Sequence, residues 1–262
     1  MSKAPSGLGG EQVEGRRAVL ELLRAGRVGV VGSGRSSVEE QFLARKLAVA
    51  TGAPAWLVAR VGEGDGLLLS ADRNPNVRGA LVTELIAGLP AARLDDLAAK
   101  IDAGEVRTVL SLGEDLVPAG IDADRLARVA VIYVGTHANA TSAAARVVIP
   151  ALSVFEKAGT FINQQFRIQK FAPAVPGPSG VADDRATLAG LVAAAGGPVL
   201  AADIDAIWAA IAAEVKSLET VSYANLPAGG LVIDGSAFAG LPFPEGQSLH
   251  FKPTEKRESA SA

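Results

Sequence analysis

The sequence predicts an α/β fold: a doubly wound, mostly parallel sheet with helices on both faces, followed by a C-terminal helical appendage. Short apolar segments alternate with helical ones from about residue 27 onward. Such continuous apolar runs are typical of parallel strands, because helices cover both faces of the sheet. Hydrophobic residues make up 49% of the chain and aromatic residues only 5%, which suits close packing of helices on a sheet.

The strands and helices follow from local patterns. A helix is predicted near residues 12–25, and strands are predicted at 27–32, 54–60, 107–113, 130–135 and 146–150. Helices are predicted between them at 38–52, 95–103 and 122–129. Ser36 or Ser37 is a good N-cap for the helix at 38–52, since Glu39 and Glu40 then occupy the first turn, where the helix dipole favours negative charge.

Composition divides the chain into four parts. Residues 1–15 and 251–262 show no periodicity and are predicted to be disordered tails. The α/β domain is predicted to cover residues 16–175. A segment rich in proline and glycine at 172–180 then predicts a boundary, and residues 176–250 are expected to form a linker and a helical appendage, with helices at 183–195 and 203–218.

Charge and residue content argue against several classes of function. The net charge is −3 and no basic stripe is present, so no nucleic acid partner is expected. No apolar run reaches the roughly 18 residues that cross a bilayer, and no secretory signal is recognisable, so we expect a cytoplasmic chain without a direct membrane span. The 262 residues contain no cysteine, which excludes thiolate-ligated iron-sulfur clusters within them.

The loops that follow the predicted strands are the candidate ligand site, because doubly wound sheets bind ligands at the carboxyl ends of their strands. The candidate cofactor-binding residues in these loops are Ser33, Arg35, Gly113, Glu114, Asp115, Thr136, His137 and Thr141. They form either a vestigial pocket or, in an alternative interpretation, a working nucleotide site. No catalytic residue and no metal ligand is predicted.

The glycine turn after the first strand does not complete a dinucleotide motif. Gly32 and Gly34 fit G-x-G-x-x-G, but Ser37 stands where the third glycine belongs, so a plain strand-to-helix turn is the preferred interpretation. On chemistry alone, residues 156–163 form a surface turn. Residues 160–171 alternate in a β-like manner, so Arg167, Gln169 and Lys170 could share one face of a strand, and a solvated strand edge is the alternative.

The order of segments resembles a known family. Residues 147–169, VVIPALSVFEKAGTFINQQFRIQ, resemble a segment typical of the molybdopterin oxidoreductase superfamily. The matching positions there are Pro150, Glu156, Lys157, Gly159, Thr160, Asn163, Arg167 and Gln169, and upstream Thr136, Thr141, Ala143 and Ala144. Two further stretches, residues 36–48 and 67–80, resemble the large iron-sulfur subunit of respiratory NADH:quinone oxidoreductase, through Glu39, Glu40, Asp72, Arg73, Pro75, Asn76 and Gly79.

This resemblance implies a non-redox scaffold or accessory subunit of an NADH:quinone oxidoreductase-like complex. No cofactor is then bound by this chain, and iron-sulfur clusters are expected in partner subunits because the cysteines of the family's iron-sulfur region are not in this sequence. The implied partners are iron-sulfur and NADH-dehydrogenase subunits, which would hold the chain peripherally at the inner side of the cell membrane. The alternative is a molybdopterin-nucleotide-binding fragment of a split molybdenum oxidoreductase.

Overall fold

A parallel five-stranded sheet forms the centre of the molecule, as the sequence predicts. A computed structural model describes residues 9–65 and 67–241, with side chains from residue 17 onward. The sheet order is β2-β1-β3-β4-β5, and all four pairings are parallel. The strands are β1 (Val28–Ser33), β2 (Ala55–Val58), β3 (Thr108–Leu112), β4 (Ala130–Gly135) and β5 (Val147–Pro150).

Helices cover both faces of this sheet, which confirms the doubly wound prediction. The helices are α1 (Gly9–Arg24), α2 (Val38–Thr51), α3 (Val77–Val82), α4 (Asp95–Asp102), α5 (Ala123–Ala127), α6 (Ala140–Ala143), α7 (Asp184–Ala194) and α8 (Ile204–Glu214). Alternate side chains of each strand point to opposite faces. Val30 therefore packs in a core shared with α1, α2, α3, α7 and α8, whereas Val31 packs in a second core with α4 and α5.

A small antiparallel sheet lies beside the parallel one. Its order is β6-β7-β8, with β6 (Gly159–Ile162), β7 (Arg167–Phe171) and β8 (Leu231–Val232). The solvated edge predicted as the alternative for Arg167, Gln169 and Lys170 is wrong for Arg167, which pairs with Val232 of β8, whereas Gln169 and Lys170 lie beyond β8 and are exposed. The sequence gives no local sign of this pairing, since β8 comes from a weakly patterned segment about 60 residues after β7.

The two C-terminal helices pack directly on α2. Trp208 of α8 is fully buried, and Leu188 and Val192 of α7 belong to the same core as the strands. The predicted helix at 203–218 ends as an α-helix at Glu214, because Val215 takes an extended backbone, and a 3₁₀ turn follows at Lys216–Leu218. The domain boundary near residue 175 stays a prediction.

The ends of the chain differ in part from expectation. Helix α1 begins at Gly9, so residues 9–11, predicted to belong to an irregular tail, are helical, and the helix predicted near residues 12–25 is confirmed with an earlier start. The other residues of the predicted tails, 1–8 and 251–262, lie outside the described residues. Among the helices of the described segments, none is both long and apolar enough to cross a bilayer.

Candidate functional site

A cleft of about 1150 Å³ opens at the carboxyl ends of the parallel strands. The sheet order places the switch point, where the chain changes its direction of winding, between β1 and β3. The structure brings the three predicted loops together around this cleft, and every candidate residue except Thr141 lines it. The loops meet because parallel strands end at one edge of their sheet.

Glu114 occupies the crevice between β1 and β3. Its carboxylate oxygen Oε1 accepts a hydrogen bond of 2.5 Å from the Ser33 hydroxyl and one of 2.9 Å from Arg35 Nε. Arg35 Nη2 also donates to the Gly113 carbonyl at 3.2 Å. The hydroxyl and the guanidinium that could have met an anionic ligand at the switch point are therefore already bonded to a carboxylate of the same chain.

Asp115 and Thr141 join the loops after β3 and β4. Asp115 Oδ1 accepts from the Thr141 hydroxyl at 2.8 Å, and this hydroxyl oxygen in turn accepts from the Leu116 amide at 2.7 Å. Thr141 is fully buried and does not reach the cleft. Its role is to position these loops, not to contact a ligand.

His137 stands exposed on the rim of the cleft, beside Tyr133. The His137 ring nitrogen Nδ1 lies 2.7 Å from the Thr136 hydroxyl. The Tyr133 hydroxyl donates to the His137 carbonyl at 3.1 Å and accepts from Asn139 Nδ2 at 2.8 Å. Burial raises the pKa of Tyr133, which keeps the phenol protonated and able to donate.

The N-terminal end of helix α2 faces the cleft, but residues of its own first turn satisfy it. Ser37 is the N-cap, which confirms one of the two predicted caps, and its side chain accepts from the Glu40 amide at 3.3 Å. Glu40 Oε2 returns a bond by accepting from the Ser37 amide at 2.6 Å. A helix N-terminus favours an anion, and here Glu40 supplies it.

A buried ionic cluster of Lys157, Glu40 and Asp184 lines the cleft beyond this cap. Lys157 Nζ is bonded to both carboxylates, and Asp184 Oδ1 also accepts from the Leu152 amide at 2.9 Å. The surface turn predicted for residues 156–163 is therefore wrong, since only 14% of the Lys157 side chain is exposed and residues 159–162 form the largely buried strand β6. Sequence reasoning missed this cluster because the lysine lies 27 residues from one partner and 117 from the other.

Burial and the neighbouring charges set the ionisation of this cluster. Burial, together with the nearby Glu40, raises the pKa of Asp184 to about 7. Burial also opposes ionisation of Glu40, but the Lys157 ammonium outweighs it and holds the pKa of Glu40 below its usual range. For Lys157, burial is outweighed by the two carboxylates, which raise its pKa.

The side walls of the cleft contrast in chemistry. Arg60 and Arg73 follow β2 and stand exposed, and neither guanidinium forms an ion pair with any residue that the structure describes. The wall beyond β5 is apolar, with Leu152, Val154 and Phe155 lining it. Sequence reasoning identified neither wall as part of a site.

The segment that carries the family resemblance folds the β6–β7 hairpin onto α2. Thr160 donates to the buried carboxylate of Glu39 through its amide at 3.1 Å and its hydroxyl at 3.0 Å. Trp208 Nε1 donates to the same carboxylate at 2.8 Å. Burial outweighs these bonds and raises the pKa of Glu39. Asn163 accepts from the Arg167 amide at 3.0 Å and closes the hairpin turn.

The cofactor that the alternative function implies is a molybdopterin dinucleotide, which carries an anionic pyrophosphate. The switch point does not fit such a group, because Glu114 and Glu40 would place carboxylates beside it. No three His, Asp or Glu side chains within residues 9–65 and 67–241 are grouped to hold a metal ion. The side of the cleft near β2 fits an anion better, through Arg60 and Arg73.

Comparison with known proteins places the chain in a family. A search of curated proteins found no match. A family model described as molybdopterin oxidoreductase matches residues 24–188, which is more than half of the chain. The match runs from the end of α1 into α7 and includes the strand-end loops around the cleft. The chain therefore belongs to the molybdopterin oxidoreductase family.

Proposed function

We propose that this chain is a non-redox scaffold subunit of a multi-subunit oxidoreductase resembling NADH:quinone oxidoreductase. The observation that carries the proposal is the Glu114 carboxylate at the switch point, bonded to Ser33 and Arg35. Anionic nucleotides bind at this place in doubly wound folds. A carboxylate there repels them, and it already accepts from the Ser33 hydroxyl and from Arg35 Nε.

In this proposal the electron carriers belong to other chains. The 262 residues supply no thiolate, so clusters ligated by cysteine come from an iron-sulfur subunit. That subunit and NADH-dehydrogenase subunits are the proposed partners. Through them the complex holds the chain at the inner side of the cell membrane.

The test is purification of the tagged full-length chain from its native host, with mass spectrometry and metal analysis of one sample. We expect NADH-dehydrogenase subunits and iron to co-purify, without molybdenum. The matched control is the tag fused to an unrelated soluble protein. A chain recovered alone, without iron, contradicts the scaffold proposal.

A second candidate function is a molybdopterin-nucleotide-binding fragment of a split molybdenum oxidoreductase. The size of the cleft favours it, since about 1150 Å³ is ample for a nucleotide. The exposed guanidinium groups of Arg60 and Arg73, which form no ion pair within the described residues, also favour it. In the same purification, stoichiometric molybdenum or an extractable pterin, lost in a double variant Arg60→Ala and Arg73→Ala, would replace the scaffold proposal with this one.

A further inference from the structure

Three consecutive leucines are exposed in a hairpin that follows β2. Leu67, Leu68 and Leu69 are 84%, 86% and 55% exposed. We call residues 60–65 and 67–73 the leucine hairpin. Single exposed apolar residues are common on protein surfaces, whereas contiguous ones mark interaction sites. The three leucines therefore indicate that another surface packs on this hairpin.

The fold holds the leucine hairpin in a defined conformation. Residues 61 and 72 pair as an antiparallel bridge. Asp65 Oδ1 accepts hydrogen bonds from the amides of all three leucines at distances between 2.8 and 2.9 Å. Closer to the base of the hairpin, the Ser70 hydroxyl donates to Gln164 at 2.8 Å. A bonded backbone therefore presents the leucines, and such preorganisation lowers the entropy lost on binding.

The exposed charges of the leucine hairpin balance one another. Arg60 and Arg73 are positive, Glu63 and Asp65 are negative, and all four residues are exposed. Arg73 Nη2 donates to the backbone carbonyl of Glu63 at 3.3 Å, so these two residues lie at the same level of the hairpin, on opposite arms. Neither the Arg73 guanidinium nor the Glu63 carboxylate forms an ion pair with any residue that the structure describes.

Such a surface is complementary to itself. In a two-fold contact the same patch of both copies meets, so each charge needs its opposite across the axis. When two hairpins stack face to face about an axis parallel to their length, the outgoing arm of one copy lies over the return arm of the other. Arg73 of each copy then meets Glu63 of the other, and the leucines of the two copies meet at the outer end. The hairpin thus supplies both halves of one interface.

Other occupants fit the leucine hairpin less well. Its two arginines and two exposed acidic residues leave no excess positive charge to attract anionic lipids. A different protein whose surface carries one sign of charge meets a like charge on one of the two arms, whereas a second copy meets opposite charges on both. A two-fold contact is also closed, because the two copies occupy each other's hairpins and leave none free to extend a polymer.

We propose that two copies of this chain associate about a two-fold axis through the leucine hairpin. Leu67 and Leu68 pack against the leucines of the other copy, and Arg73 of each copy pairs with Glu63 of the other. Because a single hairpin offers a small contact area, the dimer belongs to the weak class, with a dissociation constant on the order of 10 μM. This association goes beyond the proposed scaffold function and does not depend on it.

The first test is sedimentation equilibrium of the purified full-length chain between about 1 and about 300 μM, on both sides of the expected dissociation constant. We expect monomer and dimer without larger species. The double variant Leu67→Ser and Leu68→Ser should raise the dissociation constant about tenfold or more. The control Val199→Ser, whose side chain is 88% exposed between α7 and α8, should leave it unchanged. Because the replaced side chains are exposed, all three chains should melt at the same temperature when monomeric.

The second test exchanges the two charges. Arg73→Glu alone or Glu63→Arg alone places like charges opposite each other at both ends of the contact, so each variant should dimerise about tenfold more weakly than the wild type. An equimolar mixture of the two variants restores opposite charges at both ends. We expect this mixture to form mixed dimers about as strongly as the wild type dimerises. Energy transfer between a donor dye on one variant and an acceptor dye on the other measures them.

Each contrary result has a distinct meaning. A wild type that stays monomeric up to about 300 μM overturns the proposed dimer, and so does a leucine variant that dimerises as strongly as the wild type. A mixture of the charge variants that does not recover overturns the two-fold pairing of Arg73 with Glu63. If the wild type is monomeric and the leucine variant loses binding to phosphatidylglycerol vesicles or to a partner subunit, the hairpin contacts that surface and not a second copy. Co-purification of iron tests the scaffold function separately, so either proposal can fail without the other.

Discussion

At the scale of single residues, the ionic cluster of Lys157, Glu40 and Asp184 is the most consequential arrangement in the cleft. The Lys157 ammonium forms ion pairs with two carboxylates. When all three groups are ionised, one negative charge stays uncompensated in a buried place of low dielectric. Binding a proton at Asp184 removes this excess. Burial and the neighbouring Glu40 therefore raise the pKa of Asp184 to about 7, although the Lys157 ammonium acts in the opposite direction.

Replacing Asp184 with asparagine should remove a pH dependence of stability. Because burial raises the pKa of Asp184 in the folded state, its proton contributes stability at low pH. That stability is lost as the pH rises from about 4 through about 7. We expect the melting temperature of the wild type to fall relative to that of Asp184→Asn between about pH 5 and about pH 8 in calorimetry.

The neighbouring Asp183 offers a matched control for this measurement. Burial opposes its ionisation, but Arg185 outweighs it and lowers the pKa of Asp183. The stability that this carboxylate contributes is present above its unfolded pKa of about 4 and is lost only in more acidic solution. The difference in melting temperature between the wild type and Asp183→Asn should therefore stay constant from about pH 5 to about pH 8. A constant difference for Asp184→Asn as well would contradict the assignment of a raised pKa.

At the scale of elements, the first turn of helix α2 connects the sheet to everything packed beside it. Ser37 and Glu40 form its capping box, which satisfies amides that the helix leaves without partners. Glu39, between them, accepts from Thr160 of β6 and Trp208 of α8. This turn therefore holds the antiparallel hairpin and a C-terminal helix to the parallel sheet.

Removing the cap should destabilise the protein measurably. Ser37→Ala deletes the oxygen that accepts from the Glu40 amide, and we expect the free energy of unfolding in urea to fall by about 1 kcal/mol. Ser36→Ala is the control, because the Ser36 hydroxyl forms no hydrogen bond within the described residues. If Ser37→Ala and Ser36→Ala lower the free energy of unfolding equally, the capping box does not stabilise α2.

At the scale of the whole molecule, the parallel sheet and the C-terminal helices share one hydrophobic core. Val30 of β1, Phe42 of α2 and Trp208 of α8 belong to the same buried cluster. The proline- and glycine-rich linker divides the sequence, but the side chains on either side of it pack together. Cooperative unfolding is the usual behaviour of such a core.

We therefore expect one unfolding transition for the whole chain. The chain has two tryptophans, so Trp56→Phe leaves Trp208 as the reporter of the C-terminal helices. Fluorescence of Trp208 and far-UV circular dichroism should give the same urea midpoint. A fluorescence midpoint at lower urea than the dichroism midpoint would show that α7 and α8 unfold as a separate unit.

The sequence by itself determined the succession of the five parallel strands, an N-cap at Ser36 or Ser37 and the meeting of three loops at one edge of the sheet. These features depend on local patterns or on the geometry that all parallel sheets share. The tertiary structure alone decided that Glu114 accepts hydrogen bonds from Ser33 and Arg35. It also decided that Lys157 is buried between two carboxylates and that β8 joins β7. Such contacts join residues many positions apart, and no spacing along a chain encodes which distant groups will share one small volume when the chain packs.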